Sequence, residues 1–246
     1  MAVKRESHLS FAIRIAFCAI IWVIVSISLS LALSGMLDHM YGAWGVTTSN
    51  ISRAPSWLKA LTSTDESIVS LISNLLAASI TIFTAQKMLP VTDEPVRHSR
   101  RLLVSLLTIL IGLAAGFLCI ALDAARLAWP LTEPRLTYVS ILSGLATFSG
   151  AMSRTILLIR VLYAPLAAKK LHKTAALLTA GLAICLSLPV LHWSVLIIPA
   201  LSILAACAIY DRHGLADAIL LMCSWTISVD WLIAWPDRGN NTVYKL

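Results

Sequence analysis

Apolar residues in this chain come in long blocks of about twenty, separated by short polar or charged stretches, and show none of the period-two alternation of half-buried strands. In order the blocks run from Ile15 to about Gly35, Ser67 to about Ala85, Leu102 to Leu122, Leu136 to Ser153, Thr174 to Leu191, Ser194 to Tyr210 and Leu215 to Trp235. About 20 helical residues rise about 30 Å, the thickness of a bilayer's hydrocarbon core. The expected fold is therefore all-α, a polytopic transmembrane helix bundle of about seven spans forming one integral membrane domain over 1–246. Only His192-Trp193 separates the fifth and sixth blocks, with Pro189 and Pro199 nearby, which predicts a tight hairpin. Six spans plus a re-entrant hairpin is the alternative count, because prolines can break helices that dip in and return.

Composition leaves little room for anything outside the membrane. Hydrophobic residues make up 59% of the chain and charged residues 13%, where a soluble domain carries about a quarter charged. The first block has a basic flank like a signal peptide, but it is too long for an h-region and lacks a small-x-small cleavage site, so it reads as a helix. The net charge of +7 raises nucleic acid as a partner, yet no basic stretch is interleaved with aromatics, and the cations alternate with the apolar blocks. That alternation is an orientation signal. With the amino terminus inside, thirteen Lys and Arg fall on the inner connections and six on the outer ones, so a cytoplasmic amino terminus is expected, most simply in a bacterial inner membrane.

The stretch from Leu136 to Lys173 anchors this orientation, holding Arg154, Arg160, Lys169, Lys170 and Lys173. Arg154 has two readings. If the span ends at Ser153, it reaches to the inner surface and Ile156 to Leu166 lies along the interface as an amphipathic extension. If the helix continues to Tyr163, the guanidinium is held within the bilayer. The charge pattern favours the first.

Small and weakly polar residues mark the faces where helices approach each other. Ser26, Ser30 and Ser34 repeat every four residues in the first block, and Gly112 and Gly116 share a face of the third. Gly144 and Gly150 lie with Ser143 and Thr147 in the fourth. The second block is the most polar, with Ser67, Ser70, Asn74, Ala77, Thr81 and Thr84 on one face that should point into the bundle. These faces predict helix packing within the chain, with protein partners or in a homo-oligomer. The connections over 86–101 and 154–173 are the expected docking surfaces for a cytoplasmic partner.

Candidate chemistry is sparse. None of the five cysteines has CxxC spacing, so no disulfide framework or metal site is expected. There is no HExxH, GxSxG or P-loop; the histidines lie near block ends, unlike haem ligands, and the last block has no lysine for a retinal Schiff base. No cofactor and no catalytic residue is expected. Asp230 is the carboxylate deepest in a block, with Asp217 near the other end of the same helix; at 100° per residue the two face nearly opposite ways. Asn74, Arg154, Asp217 and Asp230 are the candidate intramembrane polar or transport-path residues, since an ionisable group in hydrocarbon costs at least about 2.5 kcal/mol. Without enzymatic groups, the expected function is a membrane subunit of a transport or secretion assembly, permease-like or part of an export or conjugation machine. A self-sufficient small transporter or channel is the alternative.

Overall fold

The computed structural model describes residues 8–43, 56–89, 101–127, 138–187 and 197–233. Among them every long element is a helix and there is no strand. The helices are α1 (His8–Ala43), α2 (Ser56–Met88), α3 (Arg101–Leu127), α4 (Tyr138–Thr155), α5 (Ala164–Ala168), α6 (His172–Ser187), α7 (Ile197–His213) and α8 (Leu215–Ile233); a π-helical segment, Ile156–Tyr163, joins α4 to α5. Among the described residues three stretches are long and apolar enough to cross a membrane: Ser10–Ala43, Asp65–Met88 and Ile141–Ala168. Within the described residues α3, α6 and α8 carry shorter apolar stretches, Leu102–Leu118, His172–Leu186 and Leu215–Ser228.

The connection expected between Met36 and Glu66 is largely helical, because α1 continues to Ala43 and α2 begins at Ser56. Trp57 to Leu61, which the sequence alone would also allow as a short helix on the membrane surface, belongs to the first turns of α2. The described parts of the expected hairpin, α6 and α7, pack on each other, while its tip at His192-Trp193 lies outside the described residues.

The rod from Tyr138 to Ala168 is the centre of the molecule and corrects the expectation of a helix that ends before Arg154, whose own side chain is exposed. The helix does not stop at Ser153. Nor does Ile156 to Leu166 lie along an interface: Ile156, Leu157, Leu158, Ile159, Arg160, Val161 and Tyr163 are all buried. An interfacial helix needs a polar face, and this segment has only Arg160, itself inside. The wider π turn has a local cause. Pro165 has no N–H to offer Val161 and its ring would strike that turn in a regular α-helix. The Ala164 N–H instead bonds the Ile159 carbonyl, five residues back.

One face of the rod, through Leu158, Ile159, Tyr163, Ala164 and Ala167, packs with Ala175 and Ala183 of α6, Ile203 and Cys207 of α7, and Leu221 and Trp225 of α8. The other, through Leu157 and Val161, packs with Cys18 of α1 and with Ala85 and Leu89 at the end of α2. Of 154–173, proposed from the sequence as a docking connection, only Arg154, Ala168 and Lys170 to Lys173 are exposed. The rod ends in a turn where Leu171 N–H bonds Leu166 O and Lys170 N–H bonds Ala167 O, with Lys170 at φ 63°. At the far end of α7, Gly214 alone, at φ 95°, reverses the chain into α8, a conformation a side chain would strain.

The tightest helix pair is α3 with α8, and it explains the spacing of Gly112 and Gly116. A Cβ at Gly112 would overlap the Ser224 hydroxyl and lie 2.6 Å from the Leu221 carbonyl oxygen; one at Gly116 would overlap the Ser228 hydroxyl and lie 2.8 Å from the Trp225 carbonyl oxygen. Two glycines on α3 thus face two serines, also four apart, on α8. Gly150 is different: a Cβ there would meet Asn74 Nδ2 at an ordinary 3.5 Å. Gly144 lies half-buried on α4.

Candidate functional site

Between α1, α2 and α4 lies a polar cleft of about 620 Å³, with Thr226 of α8 at its side. The polar stripe of α2 supplies one wall, since Ser67, Ser70 and Asn74 follow one another at three- and four-residue steps and so share a face. Glu66 stands at the start of this wall. Ser143, Thr147, Gly150 and Arg154 give α4 a matching wall at the same helical spacing, and Trp22 and Ser26 of α1 close the third side.

The helices α2 and α4 run parallel, which fixes the cleft's depth. Gly150 is level with Asn74, and further along Leu157 and Val161 are level with Ala85 and Leu89. The backbone of Arg154 therefore lies about 18 Å beyond that of Glu66 along the bundle, and roughly 20 Å before the end of the rod at Ala168. Trp22 Nε1 donates to Ser153 Oγ at 2.8 Å beside Arg154. Beyond that bond the apolar cluster of Cys18, Ala85, Leu89, Leu157 and Val161 seals the space. The cleft thus opens toward Glu66 and is closed toward Leu89.

Most hydroxyls in the bundle are satisfied within their own helices. Thr81 Oγ1 donates to Ala77 O at 2.6 Å, Ser149 Oγ to Ala146 O at 2.7 Å, Thr155 Oγ1 to Ala151 O at 2.7 Å and Thr226 Oγ1 to Met222 O at 2.8 Å. Such groups are tolerated in an apolar surround and need no ligand. Ser30 Oγ donates to Ser73 Oγ at 3.1 Å, tying α1 to α2, and Asn74 Nδ2 donates to Ser70 Oγ at 3.1 Å. Two groups on the cleft differ. Ser26 Oγ is buried with no hydrogen-bond partner, and among the described residues no hydrogen bond or ion pair engages the Arg154 guanidinium.

The four residues singled out from the sequence separate. Asn74 and Arg154 come together on the cleft. Asp217 does not join them; it is 7% exposed near the start of α8, where Ser105 Oγ of α3 donates to its Oδ1 at 2.7 Å. The amino-terminal end of a helix favours a carboxylate, so Asp217 serves the α3–α8 contact. Asp230 is in α8, but its side chain lies outside the described residues, as do Asp123 and Arg126 and most of the 86–101 connection.

Sequence reasoning missed two features. Trp22 and Ser153 lie 131 residues apart, and nothing local marks them as partners. The second is a polar knot at the end of the rod: Tyr163 O–H donates to Asp211 Oδ2 at 2.6 Å, His172 Nδ1 stands 3.4 Å from the same oxygen, and Tyr210 meets Tyr163 edge-on at 5.9 Å. It pins the π segment to α6 and α7. The histidine and aspartate beside helix ends were visible, but not their convergence.

No protein-family model, curated protein or solved structure matches the chain. Among the described residues no group of three or more His, Cys, Asp or Glu is placed to hold a metal ion.

Proposed function

We propose that the chain is a non-enzymatic integral membrane protein that admits a small polar solute into the cleft between α1, α2 and α4 as part of a transport path. In this reading it crosses a bacterial cytoplasmic membrane seven times with its amino terminus inside, and the cleft opens on the outer side. The supporting observation is the arrangement of Asn74, Ser26 and Arg154 around one space in helices whose outer faces carry exposed apolar residues such as Leu76, Phe83 and Leu145. Polar groups in a bilayer collect on interior faces or water-filled cavities, and a cavity of several hundred cubic ångströms is the size of a small-molecule site.

Labelling tests this. In intact vesicles, with the five native cysteines replaced, a hydrophilic maleimide should label Asn74→Cys and Thr147→Cys at rates at least tenfold above that of lipid-facing Leu110→Cys. Equal protection of all three positions would remove the basis of the proposal.

A second reading, that the chain is a subunit of a transport or secretion assembly, is favoured by α1. It packs on α2 and the π segment, yet Phe17, Ile20, Ile24, Ile27 and Leu31 are exposed along its outer face. A partner helix could cover that face as well as lipid does, and the cleft would then be this subunit's part of a shared path.

A further inference from the structure

We infer that the floor of the cleft is an oxyanion site, in which Arg154 holds a carboxylate or phosphate group and Asn74 and Ser26 supply hydrogen bonds around it. This rests on the reading of the cleft as a solute space and goes further by naming the chemistry it selects. A guanidinium partway along a membrane-spanning helix is tolerated when it is paired or faces a polar cavity. Arg154 faces the cavity, and no described carboxylate pairs with it. Its planar fork of donors fits carboxylate and phosphate oxygens two at a time, which an ammonium cannot do.

The surrounding groups agree in sign. Gly150 lies one turn before Arg154 and level with Asn74, so the carboxamide borders the same space, and its amide already donates to Ser70. The unpartnered Ser26 Oγ sits on the third wall, one turn from Ser30, whose hydroxyl already donates to Ser73; a hydroxyl can donate to an oxyanion. Trp22, held by Ser153, sets an apolar ring on the lining beside the exposed Arg154. The other charge on the lining, Glu66, is exposed at the mouth, with a backbone separation from Arg154 of about 18 Å. That exceeds the Debye length of about 8 Å at physiological ionic strength, so its repulsion of a seated anion is screened.

The same chemistry could arrive as a free solute or as the headgroup of an anionic lipid entering from the side. The full-length protein in phosphatidylcholine nanodiscs is titrated calorimetrically with inorganic phosphate and with succinate. Saturable binding of either, weakened at least tenfold in Arg154→Gln and less in Arg154→Lys, supports a free oxyanion. Where neither binds, native mass spectrometry of nanodiscs containing phosphatidylglycerol should show one retained phosphatidylglycerol that Arg154→Gln loses, which supports the headgroup. The inference is overturned if neither anion nor phosphatidylglycerol binding depends on Arg154. If Asn74→Cys and Thr147→Cys still label in that protein, the solute cleft stands and only its anion chemistry falls; if they do not, both fall. Arg154→Lys provides the comparison should Arg154→Gln fail to fold.

Discussion

Gly116→Leu should separate α3 from α8 and be among the most destabilising single changes in the protein. The Ser228 hydroxyl can rotate away from an added side chain, but the Trp225 carbonyl oxygen, 2.8 Å from where a Cβ would stand, belongs to a helix backbone and cannot. The only relief is to move the helices apart. That movement would also pull Ser105 from Asp217, leaving a buried carboxylate without its donor. Overpacking costs typically 1–3 kcal/mol, and with the lost hydrogen bond about 3 kcal/mol is expected. Gly150→Ala is the built-in comparison, because its Cβ meets only ordinary contact at 3.5 Å and should change stability by under about 0.5 kcal/mol. Thermal unfolding in detergent micelles, followed by tryptophan fluorescence, reads both. Equal melting temperatures for the two variants would mean that α3 and α8 do not touch at these glycines.

Ile159→Ala should produce a loss of similar size from the middle of the rod. Ile159 is 0% exposed in the π segment and is enclosed by residues of α6, α7 and α8. Inside a membrane protein the loss is one of dispersion contacts plus the cavity left behind, not of transfer from water, since lipid tails are as apolar as the core. Ile→Ala at well-packed sites costs 2–5 kcal/mol, and about 3 kcal/mol is expected here. Leu177→Ala, at a position 68% exposed, should cost little. A segment lying along the interface would lose almost nothing at Ile159, so the same unfolding experiment separates the two placements of Ile156 to Leu166.

The helical character of the chain was legible, because block length and apolar content alone decide between helix and strand. So was the face pairing Gly112 with Gly116, which depends on a four-residue period that folding does not alter. The polar stripe of α2 was legible for the same reason, and Ser67, Ser70 and Asn74 do share one wall. The helix end expected at Arg154 was misread. A cation after a run of small residues resembles a helix end, and charge counting rewards placing it at the surface. What overrides that signal is the run after it: Ile156 to Tyr163 has no polar face, and only burial suits such a sequence. The convergence of Tyr163, His172 and Asp211 depends on how α6 and α7 fold back, and no local pattern encodes it.

Whether Arg154 stands in a polar cleft partway along a continuous helix is the central claim, and a cysteine scan from Gly150 to Leu158 tests it most directly. In a cysteine-free background, an impermeant maleimide applied to intact cells should react at Gly150 and Arg154 and leave Ile156, Leu157 and Leu158 unmodified. Protection of Gly150 together with reaction at Arg154 and at every position through Leu158, in inverted vesicles only, would contradict it by placing Arg154 at the inner membrane boundary.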